Sequence, residues 1–123
     1  MNKQYYNQKP LPVETVRSAG GTMTTVIRLD IGAAERNESE PDRRWQCLEA
    51  EISHTEPLGE KDYGRVVSAL IRTRYSADDV EAIQLNYMAS DSVEAAREMA
   101  ELQQWRTDCK RMARMATGLA DEE

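Results

Sequence analysis

The sequence predicts an α+β domain: an N-terminal antiparallel sheet of two or three strands, then three helices, the last one longest. Three observations carry this. Apolar residues alternate with a period of two in the segments before His54. After Gly59 the apolar period becomes helical. The two kinds of segment follow one another and do not interleave, which is the order of an α+β fold and not of a βαβ fold. A chain of 123 residues holds one such domain with one modest core.

Residues 1–12 carry two prolines and no periodicity, so they read as an extended arm, ordered at most through Tyr5 and Tyr6. The domain proper is expected over 13–120, with the sheet at 13–54 and the helices at 60–118. Gly20 and Gly21 suit a tight reversal between "VETVR" and "TMTTVIRLDI". Thr22 to Ile31 is the clearest strand. Met23, Thr25, Ile27, Leu29 and Ile31 share one face, and Thr24, Arg28 and Asp30 point the other way. "GAAERNESEPDRR" is a charged loop broken by Pro41. "WQCLEAEISH" resumes alternation, with Leu48, Ala50 and Ile52 on one face and Glu49 and Glu51 on the other.

Tyr63, Val66, Val67, Leu70 and Ile71 form one face of a first helix that ends near Arg74. Ser76 restarts the chain at once as a helix. Its hydroxyl can accept from the Asp79 N–H while Asp79 reaches back, a capping box with Asp in place of Glu. Asp78, Asp79 and Glu81 also suit the positive end of the helix dipole. Tyr75 is expected to plug a steep elbow between these helices. Val80, Ile83, Tyr87 and Met88 supply the second helix with an apolar stripe. "SDS" at 90–92 caps a third helix running to about Thr117, and Gly118 ends it. Residues 119–123 form an acidic tail expected to fray.

Charge and composition exclude several roles. The net charge of −6 repels free nucleic acid unless arginines concentrate locally. No apolar run reaches the ~20 residues of a membrane span, and no secretory signal opens the chain. The cytoplasm is the expected location, with virion association as a further possibility. Cys47 and Cys109 are too few for a disulfide framework and read as reduced, semi-buried thiols. They pair with neither each other nor His54 at zinc-ligand spacing, and Cys47 and His54 fall on opposite faces of one strand. No nucleophile elbow and no Walker loop exists. Asp78 and Asp79 are accounted for by capping, and Glu49 and Glu51 by a strand's outer face. No cofactor, metal or small-molecule substrate is expected, and the protein reads as non-enzymatic.

The third helix carries the main functional hint. Leu102, Trp105, Cys109, Met112, Ala116 and Leu119 make a 3-4 seam. The domain's own core is its first claimant. Met99 and Met115 lie outside the seam and suit contact with a partner or a second copy. Trp105, Met99, Met112 and Met115 are therefore candidate interaction residues. Arg65 and Arg72, seven apart on one helix face, are the candidates for the alternative, a nucleic-acid-associated accessory protein. The acids opening the second helix argue against that alternative, because they would face phosphates.

"RVVSALIRTRYSADDVEAIQLNYM", "LQQWRTDCKRMAR" and "PDRRWQCLEAEI" resemble a group of small, uncharacterised phage- or prophage-encoded structural proteins. The end of the last helix is also similar to tail-assembly chaperone-like proteins. The resemblance spans about residues 10 to 117 and brings no site residues with it. It implies an accessory or structural component of a phage-like assembly, acting by protein–protein contact or self-association.

Overall fold

A computed structural model describes residues 3–119. The β-branched and alternating segments form four strands: β1 (Gln4–Tyr6), β2 (Val13–Arg17), β3 (Met23–Ala33) and β4 (Trp45–His54). They make one sheet in the order β1-β4-β3-β2, and every pairing is antiparallel. The sheet thus has four strands, not two or three. The extra strand comes from the segment expected to be an arm: Gln4, Tyr5 and Tyr6 pair with Cys47, Gln46 and Trp45. A three-residue strand carries too little periodicity to be seen in a sequence, and it forms because β4 offers it an edge.

Gly20 and Gly21 turn β2 into β3 with φ of 108° and 84°, values that side chains disfavour. Between Leu29 and Gly32 the β3–β4 register slips, with Asp30 and Ile31 set against Cys47 alone. Asp30 sits at φ 54°, the left-handed conformation that a bulge of this kind demands. The extra residue shifts the side-chain alternation by one beyond Leu29, so Ile31 does not continue the Met23–Leu29 face as the simple period implied.

The helices are α1 (Tyr63–Arg72), entered through a 3-10 turn at Glu60–Asp62, α2 (Ala77–Ala89) and α3 (Val93–Thr117). Four residues, 73–76, separate α1 from α2. The Ser76 capping box forms in full: the Asp79 N–H donates to Ser76 Oγ at 3.0 Å, and the Ser76 N–H donates to Asp79 Oδ2 at 3.0 Å. Ser92 Oγ accepts from the Ala95 N–H and opens α3. Gly118, at φ 73°, closes it. The Leu119 N–H donates to the Arg114 carbonyl; the rest of the expected acidic tail lies outside the described residues.

The core lies between one sheet face and α1 and α3. Ile27, Leu29, Leu48, Ala50 and Ile52 meet Val66 and Leu70 of α1 and Trp105, Cys109, Met112 and Ala113 of α3. Tyr75 packs at its margin. α2 lies against α3 and contributes no buried residue. No described helix is long and apolar enough to cross a membrane.

Candidate contact surface on the second and third helices

Three places concentrate chemistry, and two of them hold the fold together. The first is on the sheet face away from the helices. Arg28 is 5% exposed there, although its strand position suggested solvent. Its Nε donates to Glu49 Oε1 at 3.1 Å, Nη1 to the Leu11 carbonyl at 2.8 Å, and Nη2 to the Tyr6 hydroxyl at 3.2 Å and to Glu14. The Tyr6 hydroxyl donates to Glu49, and its ring lies 4.8 Å from the guanidinium. Burial alone would lower the Arg28 pKa, but the bonds to Glu14, Tyr6 and Glu49 outweigh it and hold the cation charged. Burial and the Glu49 carboxylate push the Tyr6 hydroxyl up. Every guanidinium nitrogen has a partner, so the cluster ties β1, β2 and the 7–12 segment to the sheet.

The second place is His54. Its Nδ1 lies 2.6 Å from the Glu56 carbonyl and its Nε2 2.7 Å from Thr25 Oγ1, which is itself 2.8 Å from Thr15 Oγ1. With Nδ1–H donating to the carbonyl, Nε2 accepts from the Thr25 hydroxyl. A hydroxyl beside an oriented imidazole is the geometry of an activated nucleophile. Thr25 is 2% exposed, however, so this hydroxyl faces the protein interior and the arrangement ties strands together.

The cysteines add no reactive centre. Cys47 and Cys109 are free and buried. Burial raises the Cys47 thiol pKa and pushes Cys109 up to about 12, the opposite of an activated thiol. Among the described residues no cluster of His, Cys, Asp and Glu is placed to hold a metal.

The third place is α2 with the first half of α3. Leu85, Tyr87 and Met88 are 56%, 50% and 81% exposed, and Val93 at the start of α3 is 85% exposed. The expected stripe on α2 is thus only partly used: Val80 and Ile83 are half-buried, while Tyr87 and Met88 stay in solvent. Between α2 and α3 runs an open groove of about 440 Å³, lined by Tyr75, Ala82 and Ile83 and by Asp79, Glu98 and Glu101. At its head Arg74 lies 5.2 Å from the ring centroids of both Tyr75 and Trp105. Residues 76–104 hold seven carboxylates, Asp78, Asp79, Glu81, Asp91, Glu94, Glu98 and Glu101, against the single cation Arg97. That segment therefore carries −6, the net charge of the whole chain.

The six residues singled out from the sequence separate clearly. Trp105 and Met112 belong to the core and are not surface residues. The Trp105 indole N–H is buried without a hydrogen-bond partner among the described residues. Met99 is half-buried and Met115 is 59% exposed. Arg65 donates to Asp62 from both Nε and Nη2, at 3.1 and 3.0 Å, so it is engaged within its own helix start. Arg72 is exposed on α1. The residues that sequence reasoning passed over are Leu85 and Val93. Their signal was Leu85's position outside the Val80–Ile83–Tyr87 stripe, an apolar side chain on the wrong side of an amphipathic helix. Comparison with protein-family models, with curated proteins and with solved structures finds no match.

Proposed function

We propose that the protein is a non-enzymatic contact component that docks a partner protein through α2 and the start of α3. One observation carries this reading: α2 buries no residue of its own, yet exposes Leu85, Tyr87 and Met88. Scattered apolar residues on a surface need no explanation. Here Leu85 and Met88, three apart, share one face of the helix, and Tyr87 and Val93 are exposed nearby. Burying a Leu- or Met-sized side chain contributes about 1.5–3 kcal/mol, so covering two or three of them supports a specific contact. A contact of this kind fits the phage-like assembly that the sequence resemblance to small phage- or prophage-encoded structural proteins implies. The arginines lend less support to a nucleic-acid role, because Arg65 is held by Asp62 and the exposed helix carries the acids.

A photo-crosslinking side chain at position 88, compared with one at position 51 on the exposed part of β4, tests the reading in cells of the native host. A discrete product from position 88 and none from position 51 is expected. Absence of any product at 88, together with a monomeric mass by light scattering at low and high salt, would overturn it.

A further inference from the structure

Charge decides what can cover α2. Asp78, Glu81, Leu85 and Met88 are spaced by three, four and three, so they form one stripe along the helix, and all four are exposed. From Asp78 to Met88 the stripe extends about 15 Å along α2, the length of a partner helix of about three turns. Its first half is acidic and its second half apolar. A second copy presenting the same stripe would bring two surfaces of −6 together, and such like-charge contact is unfavourable. A cationic partner is drawn in by the same field. Glu98, across the α2–α3 groove, strengthens that field, while Glu101 is paired with Arg97.

We propose that this stripe docks a basic amphipathic helix of a partner protein. Its apolar residues cover Leu85 and Met88, and its lysines or arginines lie beside Asp78 and Glu81. The proposal rests on the contact reading above and names the chemistry of the partner.

The test uses the full chain and a labelled synthetic peptide of leucine and lysine, about 18 residues long, in amphipathic helical order. A peptide of the same composition in scrambled order is the control. Fluorescence anisotropy should show the amphipathic peptide binding at least about tenfold more tightly than the scrambled one. The Leu85→Ala/Met88→Ala double variant should lose about tenfold, and so should Glu81→Lys. All three substituted side chains are exposed, and unchanged circular dichroism and melting temperature will confirm that these variants fold. Equal binding of both peptides, indifferent to Leu85 and Met88, would mean unspecific charge attraction and would overturn the proposal. Failure of both peptides to bind would overturn it too. A crosslink from position 88 would then leave the contact reading standing with a different partner chemistry, and no crosslink would remove both. A crosslinked product of twice the chain mass would identify a second copy as the occupant and also overturn the proposal.

Discussion

Arg28 and Glu49 face each other directly across β3 and β4, and their side chains meet at 3.1 Å with the arginine 5% exposed. Both charges are largely out of water, and Tyr6, Glu14 and the Leu11 carbonyl complete the guanidinium's bonds. Removing one member of such a pair leaves the other buried and unpaired, which is more damaging than losing the pair's net contribution. Arg28→Ala is therefore expected to cost about 3–5 kcal/mol in urea unfolding. Glu14→Gln, at the cluster's solvent side, should cost less than about 1 kcal/mol. Similar losses for the two variants would show that Glu49 is not the dominant partner.

Ser76→Ala should remove the Asp79 N–H acceptor and cost about 1 kcal/mol. α2 has no buried residue to hold it, so the loss should appear first as faster amide exchange in its opening turn.

Acid should weaken the same cap. The backbone N–H of Ser76 holds the Asp79 carboxyl below its ordinary value of 3.8, and that of Gly59, with Arg65, does the same for Asp62. A carboxylate whose folded pKa is depressed contributes stability above the unfolded value, and that contribution is lost as pH falls through the folded value. Melting temperature should thus fall with decreasing pH below about 3.8. Asp79→Asn, which can still accept and cannot titrate, should flatten part of that slope. An unchanged slope would place the acid sensitivity elsewhere.

At the alkaline end the sign reverses. The Cys109 thiol, pushed up to about 12 by burial, stays protonated while an unfolded thiol ionises near 9.0. Its contribution is complete below about 9.0 and is lost as pH rises through about 12. The same burial predicts that a thiol reagent near neutral pH labels Cys109 no faster than the chain unfolds. Rapid labelling of the native protein would contradict its 0% exposure.

Asp30 offers a test of the bulge. At φ 54°, a β-branched residue is strained, so Asp30→Val should destabilise by about 1–2 kcal/mol. Asp30→Gly should be neutral or slightly stabilising by the same unfolding measurement. Equal effects for the two would mean that the left-handed backbone at this position is not what limits the residue type.

What the sequence determined was local. Alternation in Thr22–Ile31 and in "WQCLEAEISH" placed β3 and β4, and Gly20 and Gly21 placed the reversal before β3. The Ser76–Asp79 box and the Gly118 stop act within one helical turn, so they were legible residue by residue. The Trp105–Cys109–Met112 seam was legible as an apolar helix face, and the core claimed it. Tertiary structure decided the rest, because it depends on residues that are distant in the chain. β1 exists only beside β4, and the Tyr6–Glu49 bond joins positions 43 apart. Arg28 looked like an outward charge until Tyr6, Leu11 and Glu14 closed over it. Pattern says which side of α2 is apolar, but burial requires a neighbour. α3 meets α2 on the side of Ile83, so Leu85 and Met88, on another face, remain open to solvent and to the partner we propose.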